Sequence, residues 1–173
     1  IHRLNYKTFV EEIPQHERNA EERLEDKFHA ENTYAICLAG DRLVGMVCGR
    51  SNRPFSLDKK VPDLDAHVPK GYKILEVRLL SVEKEFRNGL VFSKLVGLLA
   101  QHFKDLGYDL ALISGTTRQL RLYKHLGFVP FGPVVGTALV NTLERVPVKS
   151  AEAFVAFTGL DPRPDDSGQH RGK

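Results

Sequence analysis

The sequence predicts an α/β domain. Apolar strands alternate with amphipathic helices from Ile74 to Phe128, turn and breaker residues fall at each change, and 173 residues at 42% hydrophobic content suffice for one core. Ile1 to about Ile13 reads as a helix through Leu4, Phe9, Val10 and Ile13, ending before Pro14. Ala20 to Phe28 reads as a second helix. Thr33–Leu38 and Leu43–Arg50 form a hairpin turning at Gly40-Asp41, which sets Cys37 opposite Val44. That register leaves Cys48 about 13 Å further along, beyond disulfide reach. Ser51 to Lys70 is a charged loop broken by Pro54, Pro62 and Pro69, either a functional loop or a connector.

Ile74 to Val82 is the best-marked strand, and the polar turn Glu83 to Gly89 follows it. Leu90 to Leu106 carries Val91, Phe92, Leu95, Val96, Leu99, Phe103 and Leu106 at helical spacing, and Gly107 stops it. Asp109 to Ile113 is a short buried strand, Ser114 to Thr117 a turn, and Leu120 to Leu126 a helix ended by Gly127, with a strand opening at Phe128. Beyond it, Pro130, Pro133 and Gly136 break up strand-like sequence to Leu143, and Ser150 to Phe157 reads as a helix. Asp161 to Lys173 has the composition of a disordered tail. The expected organisation is one domain over residues 1–160 and a tail over 161–173. The opening at Ile1 inside helix-like sequence is also compatible with a part of a longer polypeptide.

A net charge of +3 and a pI near 8.9 suit an anionic small molecule or an acidic protein partner. No basic, aromatic-interleaved patch marks a nucleic-acid binder. No apolar run reaches the roughly 18 to 20 residues of a membrane span, and no signal peptide is present, so the expectation is a cytoplasmic protein. The two Cys and seven His show no metal-ligand spacing, and no metal is expected.

Backbone N–H groups from about Arg87 to Phe92 fall where a helix begins and can converge on an anion, with the helix dipole adding to them. The alternative is a plain turn. Tyr123 shares a helix face with Leu120 and Leu126 and by spacing alone is an ordinary core tyrosine. Glu76 lies inside an apolar strand, where it either faces water or pairs with a neighbour such as Arg78 or Lys73.

Two stretches carry a family resemblance. Val82-Glu83-Lys84-Glu85-Phe86-Arg87-Asn88-Gly89-Leu90-Val91-Phe92 is similar to the pyrophosphate loop of the Gcn5-related N-acetyltransferase superfamily. Arg121-Leu122-Tyr123-Lys124-His125-Leu126-Gly127-Phe128, within Thr116 to Phe128, resembles that family's Leu-Tyr-x-x-x-Gly-Phe ending. The sequence departs from the first motif at Leu90 and Phe92, where the family has small residues. The resemblance implies a mixed, mostly antiparallel sheet flanked by helices. It implies acyl transfer from acetyl-CoA or a longer acyl-CoA to a small-molecule or amino-acid amine by direct attack. It further implies donor binding by Leu80, Ser81, Val82, Arg87, Asn88, Gly89, Leu90, Val91, Phe92 and Thr116. The strand segment would pair with the pantetheine arm and supply an N–H to the oxyanion. Tyr123 would be the general acid and Glu76 a base.

Tyr6-Lys7-Thr8-Phe9-Val10-Glu11-Glu12, Glu25-Asp26-Lys27-Phe28 and the strand from Tyr34 resemble the branch containing acyl-homoserine-lactone synthases and long-chain N-acyl amino acid synthases. That branch implies long acyl chains and a donor carried on the phosphopantetheine of acyl carrier protein. Departures are the lack of Trp, His29 in place of Asp, and Arg78 one position early on its strand. A non-catalytic acyl-CoA-binding regulatory module is the alternative from a different class.

Overall fold

Ile74–Val82, here β3, is the axis of the fold, and its alternation decides which side of the sheet each neighbour covers. The structure, a computed structural model, describes residues 1–115, 120–131 and 137–142. Leu75 and Val77 face one core with α2 (Leu90–Asp105). Ile74 faces the other. The strands β1 (Thr33–Ala39), β2 (Arg42–Arg50), β3, β4 (Leu110–Gly115), β5 (Val129–Phe131) and β6 (Thr137–Thr142) form one sheet in the order β1-β2-β3-β4-β6-β5. All neighbours are antiparallel except β3 and β4. This is the mixed, mostly antiparallel sheet that the family resemblance implies.

The first face packs against α2 and α3 (Leu120–His125). Leu95, Leu99 and Phe103 of α2 are buried there with Leu75, Ala111 and Ile113, each such side chain contributing about 1.5 to 3 kcal/mol by leaving water. Gly49 lets α2 approach β2, since a Cβ there would lie 2.2 Å from the Phe103 ring. The opposite face is covered by the long loop: Phe55, Leu57, Val61, Leu64 and Val68 bury themselves with Leu112. This loop is a second packed layer, which the charged and Pro-rich composition did not announce.

The N-terminal helix begins as α1 (His2–Tyr6) and widens into a π-helical segment, Lys7–Glu12. Residues 20–28 are not helical, contrary to the sequence reading. The segment is mostly exposed and lacks an apolar face, so tertiary bonds decide its path. Asn19 ties Arg23 through a side-chain bond in each direction, Leu24 N–H donates to the His2 carbonyl (3.0 Å), and Asp26 leaves the segment to pair with Arg78. The hairpin register also shifts: a bulge after Cys37 places Cys37 opposite Gly45 instead of Val44, and both cysteines are free. β4 continues through Ser114 and Gly115, expected as a turn, because β6 pairs with it up to Gly115↔Thr137. Thr116, the helix expected at Ser150 to Phe157 and the tail from Asp161 lie outside the described residues. No helix among the described residues is long and apolar enough to cross a membrane.

Candidate active site

β3 and β4 pair over only four positions, from Ile74↔Leu110 to Val77↔Ile113. Beyond Val77, β3 runs on to Val82 without a β4 partner. The change coincides with Leu79, whose φ of 53° is left-handed. On the β2 side Cys48 opposes Arg78 and Met46 opposes Ser81, so Leu79 and Leu80 together stand opposite Val47. This bulge reverses the facing of the strand. Val77 and Leu75 face α2 before it, Leu80 and Val82 after it. The stretch Leu80 to Val82 thus forms a strand edge without a β4 partner, of a kind to which an extended chain can add, although Arg87 Nε already takes the Val82 carbonyl. Beneath it lies a cavity of about 40 Å³ whose lining includes Val77, Leu80, Phe92, Val96, Ile113 and Tyr123.

The turn after β3 delivers the start of α2 to the same end of the sheet. Gly89 takes φ 81° as the N-cap, and Asn88 Oδ1 accepts from Leu90 N–H at 3.1 Å. Leu90 is 46% exposed and points outward, whereas Phe92 is buried and lines the cavity. Neither bulky departure from the small-residue pattern therefore fills the interior of the turn, and Val91 likewise belongs to the core. Arg87, expected at the phosphates, is held back from them: Nε donates to the Val82 carbonyl (2.7 Å) and Nη2 to Glu12 Oε2 (2.6 Å). Lys7 and Arg42 similarly converge on Glu83. A larger groove of about 720 Å³ lies between α1 and the β1–β2 turn, and none of the predicted site residues among the described residues lines it.

Tyr123 is 5% exposed, packs edge-on against Phe128 (6.0 Å between centroids) and lies over the end of β4 at Gly115. Burial pushes its phenol up to about 12. A model thiol titrates near 8.5, so the mismatch is roughly 3.5 units, on the order of 5 kcal/mol. A full proton transfer from such a phenol to a thiolate is therefore uphill.

Glu76 faces the long loop and is fully buried. Ser56 N–H donates to Oε2 (2.8 Å), Leu57 N–H to Oε1 (3.0 Å), Ser56 Oγ also donates to Oε1, and Arg78 Nε stands 3.5 Å from Oε2. Of the readings open in the sequence, this is the ion-paired one, with a loop anchor added. Both oxygens accept hydrogen bonds from the loop, three in all, and the ion pair with Arg78 adds to them, so the carboxylate is engaged as a structural anchor.

The sequence reading named Asp26, Phe28 and Arg78 singly, through the branch resemblance, and missed the cluster that they form. Arg78 meets Asp26 through two bonds, Nη1–Oδ1 at 2.9 Å and Nη2–Oδ2 at 2.8 Å, and Arg50 stacks 3.7 Å over the Phe28 ring. Burial alone would raise the Asp26 carboxyl, but the bond and charge of Arg78, with Asn32 and the Phe28 N–H, hold it below the usual carboxylate range. Cys48, on the same face, is pushed up to about 12 by burial and is an inert thiol. Partners 52 residues apart leave no local pattern to find.

Comparison with known families agrees with this geometry. A family model described as Acetyltransferase (GNAT) family matches residues 1–128. The chain belongs to this family. A second model, the Transposase IS116/IS110/IS902 family, matches residues 129–173, a minor part lying mostly outside the described residues, and carries no functional argument. No curated protein matches the sequence. Among solved structures, this GNAT chain is similar to BjaI, a CoA-dependent acyl-homoserine lactone synthase determined with SAM and isopentyl-CoA. The TM-score is 0.69 at 22% identity, over 92% of this chain and 80% of that one. MesI, another CoA-dependent acyl-homoserine lactone synthase, gives 0.65 at 17% identity, over 91% and 85%. FeeM, an N-acyl amino acid synthase from uncultured soil microbes, gives 0.57 at 14% identity, over 70% and 80%. At these identities the likeness is one of fold. The GNAT chain thus brings Leu80, Ser81, Val82, Asn88 to Phe92 and Tyr123 to one end of its sheet and leaves Glu76 on the other face.

Proposed function

We propose that this GNAT chain is an N-acyltransferase that moves a short acyl group from a CoA thioester to an amine by direct attack. The observation that carries the reading is the interrupted β3–β4 pair, with an open strand edge, a helix start and Tyr123 placed around one apolar cavity. The donor's extended arm would add to the edge at Leu80–Val82, and its phosphates would take the N–H groups at the start of α2. An N–H of the Leu79–Leu80 bulge would stabilise the developing oxyanion. A neutral amine would attack the carbonyl, the carbon–sulfur bond would break, and Tyr123 would hydrogen-bond the departing sulfur. The proton shed by the attacking nitrogen would leave through solvent, with Glu76 holding the loop instead of acting as base.

The cavity volume, close to that of one water molecule, favours acetyl or another short acyl group. A second reading, a longer acyl chain on CoA or on the phosphopantetheine of a carrier protein, is supported by the wholly apolar character of the lining apart from Tyr123. The test is thiol release from acetyl-CoA, hexanoyl-CoA, decanoyl-CoA and an acylated carrier protein with a panel of amines. Acetyl-CoA turnover supports the first reading, and turnover confined to the longer or carrier-bound donors supports the second. Binding of acetyl-CoA without turnover of any donor would falsify the enzyme reading in favour of a regulatory module.

A further inference from the structure

We infer that Gly115 is the positioning residue for Tyr123: the missing side chain at the end of β4 is the seat on which the tyrosine ring rests. The inference rests on the proposed role of Tyr123 and extends it to a residue outside the family-like motifs. A Cβ built at Gly115 would lie 2.3 Å from Tyr123 Cε2, 2.8 Å from Cδ2 and 3.4 Å from Cζ, the carbon that bears the hydroxyl. Real Cβ atoms do not approach to 2.3 Å, so any other residue at 115 moves the ring. The backbone does not ask for glycine there. Among the described residues the glycines with positive φ are Gly40, Gly71, Gly89, Gly107 and Gly127, Gly115 not among them, and Gly115 pairs regularly with Thr137 of β6. Space for the ring is the remaining reason for a residue without a side chain.

The location gives that space a function. Gly115 lies two residues beyond Ile113, where the parallel pairing with β3 ends and the open edge begins. Phe128 closes the ring from a second direction at 6.0 Å, so Tyr123 is held between a strand end and an aromatic edge. Moving one support displaces the hydroxyl relative to the edge at Leu80, and a misplacement of about 1 Å at a reacting centre can cost on the order of a hundredfold in rate. The chain also contains an internal control. A Cβ at Gly49 would meet the Phe103 ring at 2.2 Å and Leu75 Cδ1 at 3.1 Å, a clash of the same size whose main partner, Phe103, does not line the cavity.

The experiment measures kcat, KM and Tm for Gly115→Ala, Tyr123→Phe, their double variant and Gly49→Ala with one CoA thioester donor. The expected result is a kcat loss of about a hundredfold for Tyr123→Phe and of about tenfold or more for Gly115→Ala. KM should stay within about twofold, and Gly115→Ala should have no further effect on kcat in the Tyr123→Phe background. Gly49→Ala should lower Tm without changing kcat per folded molecule. If Tyr123→Phe turns over like the parent, the role of Tyr123 itself is wrong. If Tyr123→Phe is slow but Gly115→Ala is either silent or equally damaging in both backgrounds, the positioning inference is overturned. Should Gly115→Ala fail to fold, Gly115→Ala/Tyr123→Leu decides: recovery of Tm supports the ring contact, and continued failure to fold rejects it.

Discussion

Arg87 reaches 2.6 Å to Glu12, so the turn that precedes α2 is tied to the N-terminal helix by the side chain expected to serve the donor's phosphates. The pair is partly exposed, with Arg87 at 42% and Glu12 at 17% of side-chain area, which sets its worth at about 1 kcal/mol or less. Donor phosphates would compete with Glu12 for the same guanidinium. Glu12→Gln is therefore expected to lower KM for acetyl-CoA by up to about fivefold. The KM for S-acetyl-pantetheine, which lacks the phosphates, should not change. An equal change for both donors would show that the pair acts on the fold.

The buried pair of Asp26 and Arg78 makes a prediction in acid. The Asp26 carboxyl is lowered in the folded chain, so its contribution is present above the unfolded pKa near 3.9 and is lost as pH falls through the folded value. Asp26→Asn is expected to cost about 2 to 3 kcal/mol at neutral pH. It should also flatten the decline in stability of the parent protein below about pH 4. Urea titrations at a series of pH values measure both.

Tyr123 predicts a flat alkaline limb. Its phenol is pushed up to about 12, so the protonated form persists well past the ordinary tyrosine range. The kcat of the parent enzyme should not fall between about pH 8 and 10.5 through this group. A loss centred near 10 that disappears in Tyr123→Phe would show that donor binding restores an ordinary phenol.

Glu76 separates stability from chemistry. Glu76→Ala would strand the N–H groups of Ser56 and Leu57 and leave Arg78 with Asp26 alone. A loss of about 3 kcal/mol is expected. Glu76→Gln should lose less, with kcat per folded molecule within about threefold of the parent. A kcat collapse at unchanged Tm in Glu76→Gln would return the residue to the role of base.

The strong periodic segments were legible before the structure. β3 runs from Ile74 to Val82 as read, and α2 ends within a residue of the helix drawn from its apolar stripe. Local chemistry suffices there because the pattern, the turn and the glycine stop agree. The failures have other causes. Residues 20–28 contain helix-favouring residues but obey Asn19, Asp26 and the distant Arg78. The loop from Ser51 to Lys70 hides five core residues among prolines and charges, because its order comes from the sheet face that it covers. At the site, the motif residues were readable one by one, whereas the bulge at Leu79 was not: leucine seldom adopts a positive φ, and nothing local announces it.

That leucine makes β3 a strand with an inverted phase. Residues up to Arg78 follow one alternation and those from Leu80 follow its opposite, so the two halves answer to different partners: Glu76 and Arg78 to the loop and Asp26, Leu80 and Val82 to α2. Deleting any single residue from 78 to 80 would restore one continuous phase. Both halves would then keep their facing, whereas a β3 of full length without the bulge would turn one half inside out, exchanging a buried carboxylate or guanidinium with a core leucine or valine. A conformation that costs about 1 to 2 kcal/mol at one residue thus lets a single strand carry a charge network on one side and line an apolar cavity on the other.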